Sequence, residues 1–208
     1  MTKAEQTRAA IVDAALAMAQ QIGLEGLTIG SVADESGLSK SGVFSRVGSR
    51  EELQVAALKE YERRFVEQVM TPALREPRGL ARLRATWQRW LEWVRSGLGG
   101  RGCLFVSGAT EYDDRPGAVR DALLTGLAEL RKQLARMIRQ AIDLGELALD
   151  TDPEQVAFEL YAIVLALHNE DRLFRDRDAY ARAQAAFERV VASCDPAPRM
   201  DGRGARSP

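Results

Sequence analysis

Apolar positions recur at steps of three and four residues along most of the chain, the repeat of an amphipathic helix. Val12, Leu16 and Ala19, joined by Ala15 and Ile22, predict a helix over 4–22 that Gly23 closes. Thr28 stands where a hydroxyl can cap the open amides of a short helix from Ile29 to Ser36, and Gly37 breaks it. Ser39 opens another from Lys40 to Val47, with Val43, Phe44 and Val47 apolar and Gly48 at its end. Ser49-Arg50-Glu51-Glu52 has capping-box form, a Ser followed by Glu three residues on, and starts a long helix reaching about Met70.

The same repeat predicts helices over 78–97, 103–112, 117–144, 153–173 and 177–193. Pro72, Pro77, Pro116 and Pro153 fall at the joints, where a missing amide proton costs little. No stretch alternates as a strand does, so the expected fold is all-α. Its divisions are a three-helix N-terminal domain (1–48), a helical bundle (49–194) entered through a connecting helix (49–70), and a tail (195–208). The tail is rich in Gly, Pro and Arg and is expected to be disordered.

Composition narrows the class without naming it. The 208 residues are 46% hydrophobic and 28% charged, the balance of a folded globular chain. No apolar run approaches the roughly 20 residues of a membrane span, and the start MTKAEQTRAA lacks the basic-then-apolar order of a signal peptide. A cytoplasmic protein without membrane contact is expected. Cys103 and Cys194 are too few for a disulfide framework. Lysine and arginine number 29 against 30 acids, so total charge offers no hint of nucleic acid.

Local placement does. Over 28–53 two short helices meet at a Gly-containing turn, the helix-turn-helix geometry whose second helix enters the major groove. Ala33 is small where the helices cross, and Val32, Leu38 and Val43 are placed to fill the space between them. The polar side of the second helix then carries Ser39, Lys40, Ser41, Ser45 and Arg46, short donors and two cations suited to phosphates and base edges. Gly42 permits close backbone approach. Over residues 1–50, however, Lys3, Arg8, Lys40, Arg46 and Arg50 are matched by Glu5, Asp13, Glu25, Asp34 and Glu35. The reader is formally neutral, and its affinity must come from a few placed contacts doubled by dimerisation.

This stretch resembles the TetR family of transcriptional regulators in Thr28, Val32-Ala33, Gly37-Leu38-Ser39-Lys40 and Ser49-Arg50-Glu51-Glu52-Leu53. The resemblance implies phosphate contacts at Thr28 and Arg50, and base or backbone contacts at Lys40, Ser41, Gly42, Ser45 and Arg46. Ser39 and Ser49 complete the expected DNA-facing set, with Phe44 where the family usually has tyrosine and Arg46-Val47 where it has His-Phe. A homodimeric repressor on a palindromic double-stranded operator is implied, released by a small-molecule effector bound among the C-terminal helices.

For that effector the inward aromatics suggest a cavity bounded by Tyr61, Phe65, Trp87, Trp90, Phe105, Tyr112, Phe158 and Tyr161, with Glu111 placed to recognise a cation. The helix over 153–173 is apolar on two sides and therefore needs a partner. Leu165 and His168 on it, with Phe187, Val190 and Val191 on the last helix, are the expected dimer contacts. His168 is the only histidine, which leaves no metal site, no cofactor and no usual catalytic triad to propose. The alternative is a helical scaffold that binds no DNA, and a gel shift separates the two.

Overall fold

The computed structural model describes residues 2–96 and 103–196, and among these every regular element is helical. The chain runs α1 (Lys3–Ile22), α2 (Ile29–Ser36), α3 (Lys40–Val47) and α4 (Arg50–Phe65). A π-helical turn over Val66–Met70 and the short α5 (Thr71–Ala73) follow. Then come α6 (Leu80–Ser96), α7 (Leu104–Tyr112), α8 (Ala118–Asp143), α9 (Pro153–Asn169) with a second π-turn over Glu170–Phe174, and α10 (Ala179–Ser193). The expected tail falls almost wholly outside the described residues, as does the glycine-rich segment 97–102.

Caps set the boundaries. The Thr28 hydroxyl accepts the Ser31 amide at 2.9 Å while Ser31 Oγ accepts the Thr28 amide at 3.1 Å, fixing where α2 begins. Gly37 holds φ +65, a left-handed turn for which a side chain is strained even though the space around it is open. Ser39 Oγ accepts the Gly42 amide at 3.1 Å, and Ser49 with Glu52 closes a reciprocal box at 3.2 and 2.7 Å.

A continuous core joins the two ends of the molecule. Ile11, Ala15, Leu16, Val32, Ala33 and Val43 pack at 0–1% exposure in the N-terminal bundle. Through Leu53, Ala57 and Leu58 of α4 that core continues into Trp87, Trp90 and Trp93 of α6. Leu38, expected inside, is 37% exposed because Val32 and Val43 already fill the crossing. Trp93 is buried with its indole N–H donated to Tyr61 Oη at 2.8 Å.

The last two helices correct the expected interface. Phe187 is fully buried and stacks on Trp87 at 4.8 Å with the rings 10° from parallel, and Val191 is buried beside it. Both belong to this chain's own core and are not available to a partner. Val190 is half-buried against the same core, whereas Leu165 stays exposed. His168 is half-buried, its Nδ1 shielded and without a hydrogen-bond partner, and burial first, then Arg172, lowers its pKa.

Candidate nucleic-acid interface and sensor cavity

The outward side of α3 is built by subtraction. Val43 and Val47 turn inward, leaving Lys40, Ser41, Phe44, Ser45 and Arg46 exposed on one surface. The Ser45 hydroxyl donates back to the Gly42 carbonyl at 3.0 Å, and Ser39 and Ser41 share a hydrogen bond at 3.2 Å. Lys40 leans over Gly30, its Cε 3.2 Å from where a side chain there would begin, which brings its ammonium to the N-terminal end of α2 beside Thr28. An ammonium, a hydroxyl and a helix N-terminus are groups of the kind that phosphates meet. Phe44, 58% exposed, offers the apolar contact that a thymine methyl takes.

Arg50 departs from its expected role. Its Nε donates to the Leu27 carbonyl at 2.7 Å, its guanidinium also reaches the Glu25 carbonyl, and the Glu25 carboxylate lies 3.3 Å away. These three acceptors hold it within the chain, where the resemblance implied a phosphate contact. Ser49 is engaged in its capping box, although exposed.

The loop that Arg50 clasps is held from the other side by α7. Glu111 accepts the Glu25 amide at 2.7 Å, and its carboxylate occupies the space a side chain on Gly23 (φ +80) would need. Tyr112 donates to the Glu25 carboxylate at 3.0 Å and accepts from Gln54, which also donates to the Leu24 carbonyl at 2.6 Å. Arg115 pairs with Glu25 at 2.9 Å. The Tyr112 hydroxyl, then Arg50, hold the Glu25 carboxyl below its usual range, while burial and the neighbouring Glu25 push Tyr112 up. Gly108 completes the contact, since an added Cβ would stand 2.7 Å from Leu24. Glu111 and Tyr112 therefore form a latch between α7 and the loop before α2, and the slot at the far end of α7 is lined by other residues.

The other end of α7 lines a cavity. Cys103 and Phe105 face Tyr61 and Phe65 of α4, Trp90 of α6 and Tyr161 of α9 around a slot of about 80 Å³. Val66 and Met70 of the π-turn and Glu62, Glu129 and Gln133 complete its rim. The expected aromatic lining thus divides. Tyr61, Phe65, Trp90, Phe105 and Tyr161 come together as read, whereas Trp87 is stacked on Phe187 with its indole N–H on Gln184 at 3.0 Å. Phe158 is 54% exposed on the outer surface under Arg131. Burial raises the Cys103 thiol above its usual value, so it stays protonated.

The sequence reading missed the α8 wall. Its signal was Gly126 inside a long helix, where glycine costs about 1 kcal/mol and marks close approach. An added Cβ there would stand 2.5 Å from the Phe105 ring.

Residues 79–187, just over half of the chain, match the family model described as Tetracyclin repressor-like, C-terminal domain. The chain belongs to the TetR family of transcriptional regulators. Solved structures agree on the fold. A TetR-family transcriptional regulator from Cytophaga hutchinsonii is 20% identical over 94% of this chain and 98% of that one, with a TM-score of 0.81. SCO4454, a TetR-family regulator from Streptomyces coelicolor, is 18% identical over 93% and 91%, with a TM-score of 0.79. AibR, solved in complex with isovaleryl coenzyme A and operator DNA, is 22% identical over 86% and 97%, with a TM-score of 0.68. Curated proteins searched by sequence give no match. Within this TetR-family regulator, the reader, latch and cavity lie in series along α4 and α7.

Proposed function

We propose that this regulator is a homodimeric, cytoplasmic repressor that grips a palindromic operator through α3 and leaves it when a small molecule enters the slot between α4, α7 and α8. The observation that carries the reading is the double role of α7. One end supplies Phe105 to the slot, and the other supplies Glu111 and Tyr112 to the loop before α2. A guest that parts the slot walls moves α7 and α4 together, and both are tied to the reader. The π-turn at Val66–Met70, on the slot rim, gives α4 a place to yield.

Thr28, Lys40 and Ser41 take phosphates in this reading, with Gly42 allowing approach and Phe44, Ser45 and Arg46 meeting base edges. Ser39 and Ser49 position the helices that carry them. The partner copy covers the exposed sides of α9 and α10, which carry Leu165 and Ala166 on the one and Ala181 and Ala185 on the other. AibR supports the pairing of effector and operator on this fold. In vitro selection of DNA on the purified chain, followed by gel shift against random competitor, tests the proposal. A twofold-symmetric consensus weakened by Arg46→Ala is expected, and the absence of any selected sequence would favour the scaffold.

A further inference from the structure

The lining of the slot is chemically one-sided. Five aromatic side chains form its walls, and among the described residues its charged members are Glu62 and Glu129. The arginines that follow Glu62 are turned elsewhere: Arg63 to Glu60 and Glu67, Arg64 to Glu60 and Asp13. Glu62, half-buried, is left with no hydrogen bond or ion pair among the described residues. Glu129 accepts the Gln133 amide at 2.6 Å and meets only the exposed Lys132, at 3.9 Å. From outside the slot Arg131 already lies over Tyr161, 5.2 Å from the ring centroid, so one of these rings is in use by a cation.

We propose that the effector slot selects a lipophilic monocation, of the aromatic quaternary ammonium kind, an inference that rests on reading the slot as the effector site. An anion would face two carboxylates, with no basic residue among the described residues of the lining. A neutral guest gains burial but leaves Glu62 unanswered. A cation gains contact with the aromatic rings of Tyr61, Phe65 and Trp90 and closes on the carboxylates of Glu62 and Glu129, with its apolar part against Phe105 and Leu127.

The test is a titration of the full chain at fixed ionic strength, read by tryptophan fluorescence because Trp90 stands in the wall. The probes are benzyltrimethylammonium, the neutral carbon isostere neopentylbenzene and the anion 3-phenylpropionate. The cation is expected to bind about tenfold more tightly than its isostere and the anion most weakly. Glu62→Gln and Glu129→Gln should each weaken the cation about threefold and leave neopentylbenzene unchanged. Equal binding of cation and isostere, or indifference to both substitutions, overturns the charge selection while the sensor reading stands. If none of the three probes binds, both fall. The comparison among ligands uses the unaltered protein and so does not depend on how the variants fold.

Discussion

The latch between α7 and the loop before α2 should be measurable as stability. Tyr112→Phe removes a hydroxyl that accepts from Gln54 at 2.9 Å and donates to Glu25 at 3.0 Å. Gln54 is 3% exposed and keeps only its bond to Leu24, so one of its buried amide protons is left without a partner. Leaving such a donor unsatisfied costs about 1–3 kcal/mol, and roughly 2 kcal/mol is the expected loss. In a chain of this length that lowers Tm by about 4–8 °C. Glu111→Ala acts on the same loop by freeing the Glu25 amide, with a smaller cost of about 1 kcal/mol because water reaches the site. Urea unfolding at fixed protein concentration measures both, and hydrogen exchange at the Glu25 amide localises the second. The same variants should drive the ratio of operator affinities with and without effector toward one, since that ratio is the coupling. The reasoning fails if both variants unfold within about 0.5 kcal/mol of the parent and Glu25 exchange is unchanged.

Phe187→Ala should cost about 3–5 kcal/mol in urea unfolding, because it empties a fully buried ring site stacked on Trp87. A change confined to dimer dissociation would return Phe187 to the interface. On the selected operator, Lys40→Ala should reduce the slope of log K against log salt by about 0.9 for each phosphate the ammonium had neutralised, whereas Arg50→Ala should leave the slope unchanged. A slope altered equally by both would restore Arg50 as a phosphate ligand. Arg63, with Arg64, holds the Glu60 carboxyl down to about 2. Its stabilising contribution is therefore complete above the ordinary carboxylate range and is lost as pH falls toward about 2. Glu60→Gln should flatten the loss of stability between about pH 5 and pH 2 by about 1 kcal/mol or less, given the exposure of Arg63. Parallel acid curves for parent and variant would contradict this.

What could be read in the sequence was what local chemistry decides. Thr28, Gly37, Ser39 and Ser49 set their helix ends through bonds that span three residues or fewer, or through a single backbone angle. The aromatic walls were partly legible for the same reason, since Trp90 and Tyr61 fall on inward stripes. Illegible were choices made between distant segments. Arg50 and Glu111 are separated by some sixty positions, yet both bind the loop at Glu25, and nothing in helical periodicity ranks that loop above DNA or ligand as their partner. Phe187 and Val191 show the converse. An apolar stripe announces burial but not against whom, and Trp87 on α6 supplied a partner within the chain. Gly108 and Gly126 carried usable information, because a glycine tolerated inside a helix announces that something lies close against it.

The formal neutrality of the reader acquires a different meaning once each charge is placed. Glu25 lies between Arg50 and Arg115, Asp13 is paired with Arg64, and Glu5 accepts the Thr2 amide at 2.7 Å. Two of the cations in these pairs, Arg64 and Arg115, come from beyond residue 50, so a count over 1–50 leaves out part of what answers its acids. Glu25 and Asp13 are answered on the side facing the sensor. Lys40 and Arg46, by contrast, stand exposed on α3 with no ion pair among the described residues. Of the five acids that balance the sum, Glu25 is held in the latch, Asp13 pairs with Arg64 and Glu5 caps α1, while Asp34 and Glu35 stay exposed on α2. A charge placed for coupling and a charge placed for recognition contribute equally to a total but act on different faces. A basic sheath is not needed when acids such as Glu25 and Asp13 are already answered within the chain and Lys40 and Arg46 are left unpaired, among the described residues, on α3.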